Sequence, residues 1–117
     1  MAAAVLHLTD CHLLGDASAR LGEVDTGATL DQVIDHLRRQ GAAPDCVLAT
    51  GDLSQDGSPE SYARLAEKLA SLGAPVHCLA GNHDDRAVLT SVLGAAGFGI
   101  EGAVDCGAWR VVLLNTA

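Results

Sequence analysis

Three short polar stretches carry residue types that bind metal ions and move protons: Asp10-Cys11-His12, Gly51-Asp52 and Gly81-Asn82-His83-Asp84. Asp10 and His12 stand two residues apart, so in an extended segment their side chains share a side and can grip one ion together. Asp52 has two carboxylate oxygens and can bridge two ions, while Asn82 offers a neutral amide oxygen. Mixed oxygen and imidazole ligation suits manganese, iron or zinc. Two such ions about 3.5–4 Å apart form the usual two-metal hydrolytic arrangement. Taken singly, Asp-x-His or Gly-Asp is common in turns and helix caps. Gly-Asn-His-Asp directly after an apolar run is far more specific, and the three stretches in this order exceed what turn chemistry explains.

The elements that must position these residues follow from the apolar pattern. Val5 to Leu8 reads as a strand ending in Thr9-Asp10. Leu30, Val33, Ile34 and Leu37 then recur at helical spacing. Thr29 with Gln32 resembles a capping box for that helix, and Gly41 suits its end. Cys46 to Thr50 is a second strand. Ser58-Pro59 opens a second helix carrying Tyr62, Leu65, Leu69 and Leu72. Val76 to Ala80 is a third strand. Asp84 or Asp85 caps a helix running through Val88, Leu89, Val92 and Leu93. A short extended piece near Ile100 to Val104 precedes a last strand, Trp109 to Leu114. Strands alternating with helices predict an α/β fold of βαβ units with a mainly parallel sheet. Each polar stretch falls at a strand's carboxyl end, where open parallel sheets bind ligands.

Composition narrows the function. The 117 residues suit one domain, 1–117, and 49% are hydrophobic, enough for a core. Aromatics are only 3%, leaving little for base stacking, and the net charge of −8 lacks the basic footprint of a nucleic-acid binder. Such acidity suits a phosphate ester substrate only if bound metal supplies positive charge. No apolar run spans a membrane, and Met1 to Leu8 lacks a signal peptide's basic region, so a cytoplasmic location is expected. Cys11, Cys46, Cys78 and Cys106 form no CxxC pair and are expected as reduced thiols without disulfides. His36 sits among helix charges and should face solvent, whereas His7 and His77 lie within strands.

Asp10-x-His12, Gly51-Asp52 and Gly81-Asn82-His83-Asp84 resemble the first three sequence blocks of calcineurin-like metallophosphoesterases. Val24-Asp25-Thr26, Thr50 to Leu53 and Gly81 to Ala87 look like the class III cyclic-nucleotide phosphodiesterase branch. The resemblance implies that Asp10, His12 and Asp52 hold a first metal and that Asp52 and Asn82 hold a second. It implies His83 as proton donor, with Asp84 orienting its ring. The implied reaction is hydrolysis of 3′,5′-cyclic AMP, by in-line attack of a metal-bridging hydroxide. Another small phosphoester is the alternative substrate, and a non-catalytic fragment with a partial metal site is the alternative role.

The resemblance also implies later histidine ligands, a lone one and a Gly-His-x-His block, which this sequence does not contain. The chain is therefore expected to be the N-terminal half of an αββα sandwich, truncated at its C-terminus. Alone, it should turn over little cyclic AMP. An uncovered sheet face should favour self-association or a homodimer.

Overall fold

A computed structural model describes residues 3–116. The elements are β1 (Val5–Thr9), α1 (Thr26–Arg39), β2 (Cys46–Thr50), α2 (Pro59–Ala70), β3 (Val76–Leu79), α3 (Arg86–Ala95), β4 (Gly99–Ile100), β5 (Gly102–Cys106) and β6 (Trp109–Leu113). Strands β1 to β4 form one parallel sheet in chain order. Its register aligns His7 with Leu48, Leu48 with His77, and His77 with Gly99. Strands β5 and β6 make a separate antiparallel hairpin.

All three helices cover the same sheet face. Val47, Ala49, Val76 and Cys78 pack there in one buried cluster with Leu30 and Ile34 of α1, Tyr62, Leu65 and Leu69 of α2, and Leu89 and Leu93 of α3. The opposite face presents Cys46 and Leu48, which pack against Cys106 and Leu113 of the hairpin. β2 is thus apolar on both faces, as a central parallel strand requires. The second face is only partly covered, and on the hairpin Trp109, Val112 and Leu114 remain exposed. All four cysteines are free. Among the described residues, no helix is long and apolar enough to cross a membrane.

Two sequence expectations shift. α1 begins three residues before Thr29, because Asp25 caps it by accepting from Ala28 N at 2.9 Å. A carboxylate there also meets the positive end of the helix dipole. Thr29 bonds back to the Asp25 carbonyl at 3.0 Å instead of capping. The single extended piece near Ile100 to Val104 divides into β4 and β5, which belong to different sheets. The break falls at Glu101 and Gly102, both with positive φ, 58° and 80°. α2 starts on Ser58, where the sequence placed it, and α3 on Asp85, one of the two caps the sequence offered.

Candidate metal centre

The strand-end loops stay paired beyond the strands. Asp10 N donates to the Gly51 carbonyl at 3.0 Å, His12 N to that of Asp52 at 2.9 Å, and Leu13 N to that of Leu53 at 3.0 Å. Gly51 N in turn donates to the Leu79 carbonyl at 2.8 Å. These bonds set the first two polar stretches side by side. They also hold Asp10, His12 and Asp52 in the left-handed region, at φ 57°, 47° and 46°. Left-handed backbone at non-glycine residues costs on the order of 1–3 kcal/mol each and gathers at functional sites. The segment from Asp10 to His12 is therefore not extended, as the two-residue spacing suggested. Its two side chains converge through paired left-handed turns.

The convergence is close. One donor atom from each of Asp10, His12 and Asp52 lies within 4.8 Å of the others. His12 Nε2 stands 3.7 Å from Asp10 Oδ1 and 3.9 Å from Asp52 Oδ2. Zinc-type ions take nitrogen and oxygen donors at about 2.0–2.2 Å, so donors surrounding one ion must be spaced roughly as these are. Two carboxylates facing one imidazole also repel each other unless a cation lies among them. The donor set fits a divalent ion in chemistry and in spacing.

Gln55 orients the imidazole. Its Oε1 lies 2.8 Å from His12 Nδ1. An amide oxygen only accepts, so Nδ1 is the donor of that bond and Nε2 is the nitrogen turned toward the two carboxylates. The sequence reading passed over Gln55, although three residues after Asp52 in a paired loop is a natural place for such a partner.

The third stretch closes on Asp52. His83 N donates to Asp52 Oδ1 at 2.9 Å. With its amide turned so that the nitrogen faces the carboxylate, Asn82 would donate to the same oxygen at 3.0 Å and to Oδ2 at 3.3 Å. The His83 ring is exposed and meets the His12 ring edge-on, with centroids 5.5 Å apart at 77°. The approach is tight because residue 81 is glycine: a Cβ there would lie 2.3 Å from Asp52 N.

Asp84 does not orient the His83 ring. Its Oδ1 accepts from Ser54 N at 2.9 Å and from the Tyr62 hydroxyl at 2.9 Å. Its Oδ2 accepts from Leu53 N at 3.1 Å and Gly81 N at 2.8 Å. Four donors occupy the carboxylate's four lone-pair positions, leaving none for an imidazole. Tyr62, read from sequence only as an apolar helix position, is fully buried. Burial, then its bond to Asp84, pushes the phenol above its ordinary range, so it remains a donor. Burial, then the charges of Asp10 and Asp84, raises the Cys11 thiol to about 11, so it is a neutral neighbour and not a thiolate.

The other histidines lie elsewhere. His36 is exposed on α1. His7 Nε2 is 2.6 Å from the Thr50 hydroxyl, and His77 is half-buried with its Nδ1 unpaired. Beside the centre, a cavity of about 340 Å³ is lined by Asp10 and His12 and by apolar Leu8, Leu21, Val24 and Leu30.

A parallel sheet with carboxylate and imidazole donors gathered at its strand ends is the frame of a candidate metal centre. Comparison with known proteins makes the assignment: the calcineurin-like phosphoesterase family matches residues 3–111, and the chain belongs to that family. It is 41% identical over 113 residues to the 3′,5′-cyclic adenosine monophosphate phosphodiesterase CpdA of Pseudomonas aeruginosa, covering 97% of this chain and 41% of that protein. It is 37% identical to a probable cyclic nucleotide phosphodiesterase of Synechococcus, covering 99% of this chain and 45% of the relative. A cAMP/cGMP dual specificity phosphodiesterase of Mycobacterium tuberculosis is 38% identical over 93 residues, 76% of this chain and 29% of the relative. The chain thus spans less than half the length of these relatives.

Proposed function

We propose that the whole protein carrying this domain is a two-ion phosphodiesterase acting on 3′,5′-cyclic nucleotides, cyclic AMP first among them. The observation that carries this reading is the meeting of Asp10, His12 and Asp52 donor atoms within 4.8 Å on strained backbone at the sheet's edge. The names of the relatives support the substrate, being cyclic-nucleotide phosphodiesterases in each case described.

In this reading Asp10, His12 and Asp52 hold one ion, and Asp52 with Asn82 holds the second. The ions are iron, manganese or zinc, for which carboxylate and imidazole donors are suited. When bound, they supply Lewis-acid charge neutralisation and water of lowered pKa. The chain's own contributions are distinct. Gln55 keeps His12 in the tautomer that presents Nε2. The His83 backbone amide holds Asp52 Oδ1 in place. The exposed His83 imidazole gives a proton to the departing ester oxygen. The apolar cavity beside Asp10 and His12 offers the nucleoside a non-polar wall. The domain, residues 1–117, is half of the family's sandwich, and the second ion gains further ligands from elsewhere in the whole protein. A cytoplasmic location suits the four free cysteines.

Two measurements test this. Titration of residues 1–117 with Mn²⁺ should show saturable binding that Asp10→Ala and Asp52→Ala remove. The whole protein with Mn²⁺ should hydrolyse cyclic AMP in preference to a simple phosphomonoester. Preference for the monoester would overturn the substrate, and binding that survives Asp52→Ala would overturn the ligand set.

A further inference from the structure

The Asp84 carboxylate joins three separate parts of the fold. It takes Leu53 N and Ser54 N from the loop after β2, Gly81 N from the loop after β3, and the Tyr62 hydroxyl from α2. Tyr62 is itself fixed twice, since its oxygen also accepts from Asp85 N at 3.0 Å while its ring is wholly buried in the helix-side core. The two loops so joined are those that carry Asp52 and Asn82. Asp52 lies next to Leu53, and Asn82 lies next to Gly81. With Gly81 N bonded to Asp84 and no room for a Cβ between residue 81 and the Asp52 backbone, the loops are held close together.

We propose that Asp84 and Tyr62 form a clamp that sets this spacing, and that Tyr62 is a positioning residue for the Asp52–Asn82 pair and hence for ion affinity. The proposal rests on the metal reading above for its second half only; its first half concerns loop geometry. Anchoring matters because a carboxylate and an amide on separate loops must meet the same ion. A carboxylate bonded to three backbone N–H groups resists displacement better than a neutral acceptor. The Tyr62 hydroxyl is the link that fastens this loop cluster to the rigid core, since α2 packs through Leu65 and Leu69. Outer partners of this kind typically govern metal affinity by about 10–100-fold.

The test compares wild type, Tyr62→Phe and Leu65→Val. Tyr62→Phe keeps the ring and removes only the hydroxyl. Leu65→Val removes a methylene from the same helix without touching the clamp. Amide hydrogen exchange in protein without added metal is measured at Leu53, Ser54, Gly81 and His83, followed by Mn²⁺ titration. Tyr62→Phe is expected to speed exchange at these four amides several-fold and to weaken Mn²⁺ binding by about 10-fold. Leu65→Val should lower the melting temperature without either effect. Unchanged exchange in Tyr62→Phe would overturn the clamp whether or not the ion binds. Faster exchange with unchanged Mn²⁺ affinity would overturn the positioning role. Wild type that binds no Mn²⁺ would sink the metal reading, and the exchange data would still decide the clamp.

Discussion

Gly81→Ala is the smallest change that should damage this site. An added Cβ would lie 2.3 Å from Asp52 N, 2.4 Å from Asp52 Oδ1 and 2.9 Å from Gly51 Cα. Two of the three atoms are backbone, and the third belongs to a carboxylate held by the His83 amide. Ordinary carbon contacts lie near 3.5 Å, so the two loops must part by roughly 1 Å. The Gly81 backbone is outside the left-handed region, so the effect is steric and not conformational. Overpacking of this kind costs about 1–3 kcal/mol. For a small domain that lowers the melting temperature by roughly 5–20 °C. A displacement of about 1 Å at the proposed ligand pair would also weaken turnover by the whole protein about 100-fold. Gly94→Ala is the control, because a Cβ there meets nothing within 4 Å. It sits inside α3 and should stabilise by about 0.5–1 kcal/mol. The assays are thermal melts and Mn²⁺ titration of both variants. Gly81→Ala melting within about 2 °C of wild type, well under 1 kcal/mol, with unchanged ion affinity, would refute the close-approach argument.

Other outcomes follow from the same geometry. Asp52→Ala should reduce ion binding more than Asn82→Ala, measured by calorimetry, because Asp52 faces both proposed ions. In the whole protein His83→Ala should leave ions bound while slowing turnover by about 10²–10⁴-fold, the usual cost of losing a proton donor; steady-state rates beside metal content separate the two effects. Gln55→Leu removes the acceptor at His12 Nδ1. Nitrogen NMR should then show His12 as a tautomer mixture, with ion affinity down about 10-fold. Asp56 gives a pH signature. Burial pushes its carboxyl up, but bonds from Gly15 N, the Ser58 hydroxyl and amide, and the Ser54 hydroxyl outweigh this and lower it from 3.8 to about 2. A depressed folded pKa contributes stability that is present above the unfolded value and lost as pH falls through the folded one. Asp56→Ala should therefore flatten the stability profile between about pH 4 and pH 2, followed by urea melts.

The fold was legible because its signals are local. Apolar runs, the caps at Ser58 and Asp85, and the helical spacing of Leu65 and Leu69 each specify an element from neighbouring residues alone. The four-stranded parallel sheet follows from their alternation. What sequence reading missed depends on contacts across long separations. The hairpin pairing of β5 with β6 apart from β4 turns on two positive-φ residues at a single break. Gln55 reaches His12 across 43 positions, and Tyr62 reaches Asp84 across 22. A tyrosine at an apolar helix position reads as core, which it is, and its hydroxyl's destination has no sequence signature. The same holds for Asp84, whose four donors come from three segments.

The site's physical logic lies in how its strain is sustained. Asp10, His12 and Asp52 each sit in left-handed backbone, on the order of 1–3 kcal/mol apiece. A strained residue persists only where its surroundings over-determine it. Here the ladder from Asp10 N, His12 N and Leu13 N to the carbonyls of Gly51, Asp52 and Leu53 fixes one loop against the other. The Asp84 clamp fixes the second against the third. Extended backbone would also have set Asp10 and His12 on one side, but the chain turns here. The left-handed turns instead bring two carboxylates and an imidazole to one point, with Gln55 settling the imidazole's proton. Their mutual repulsion is then what an arriving cation relieves, so the fold's stability and its ion affinity are coupled. An ion at 100 times its dissociation constant would add about 2.7 kcal/mol to stability. In the proposed reading the same ions would reconcile the net charge of −8 with a phosphate ester substrate. In that reading the sheet edge would attract cations, and the cations the phosphate.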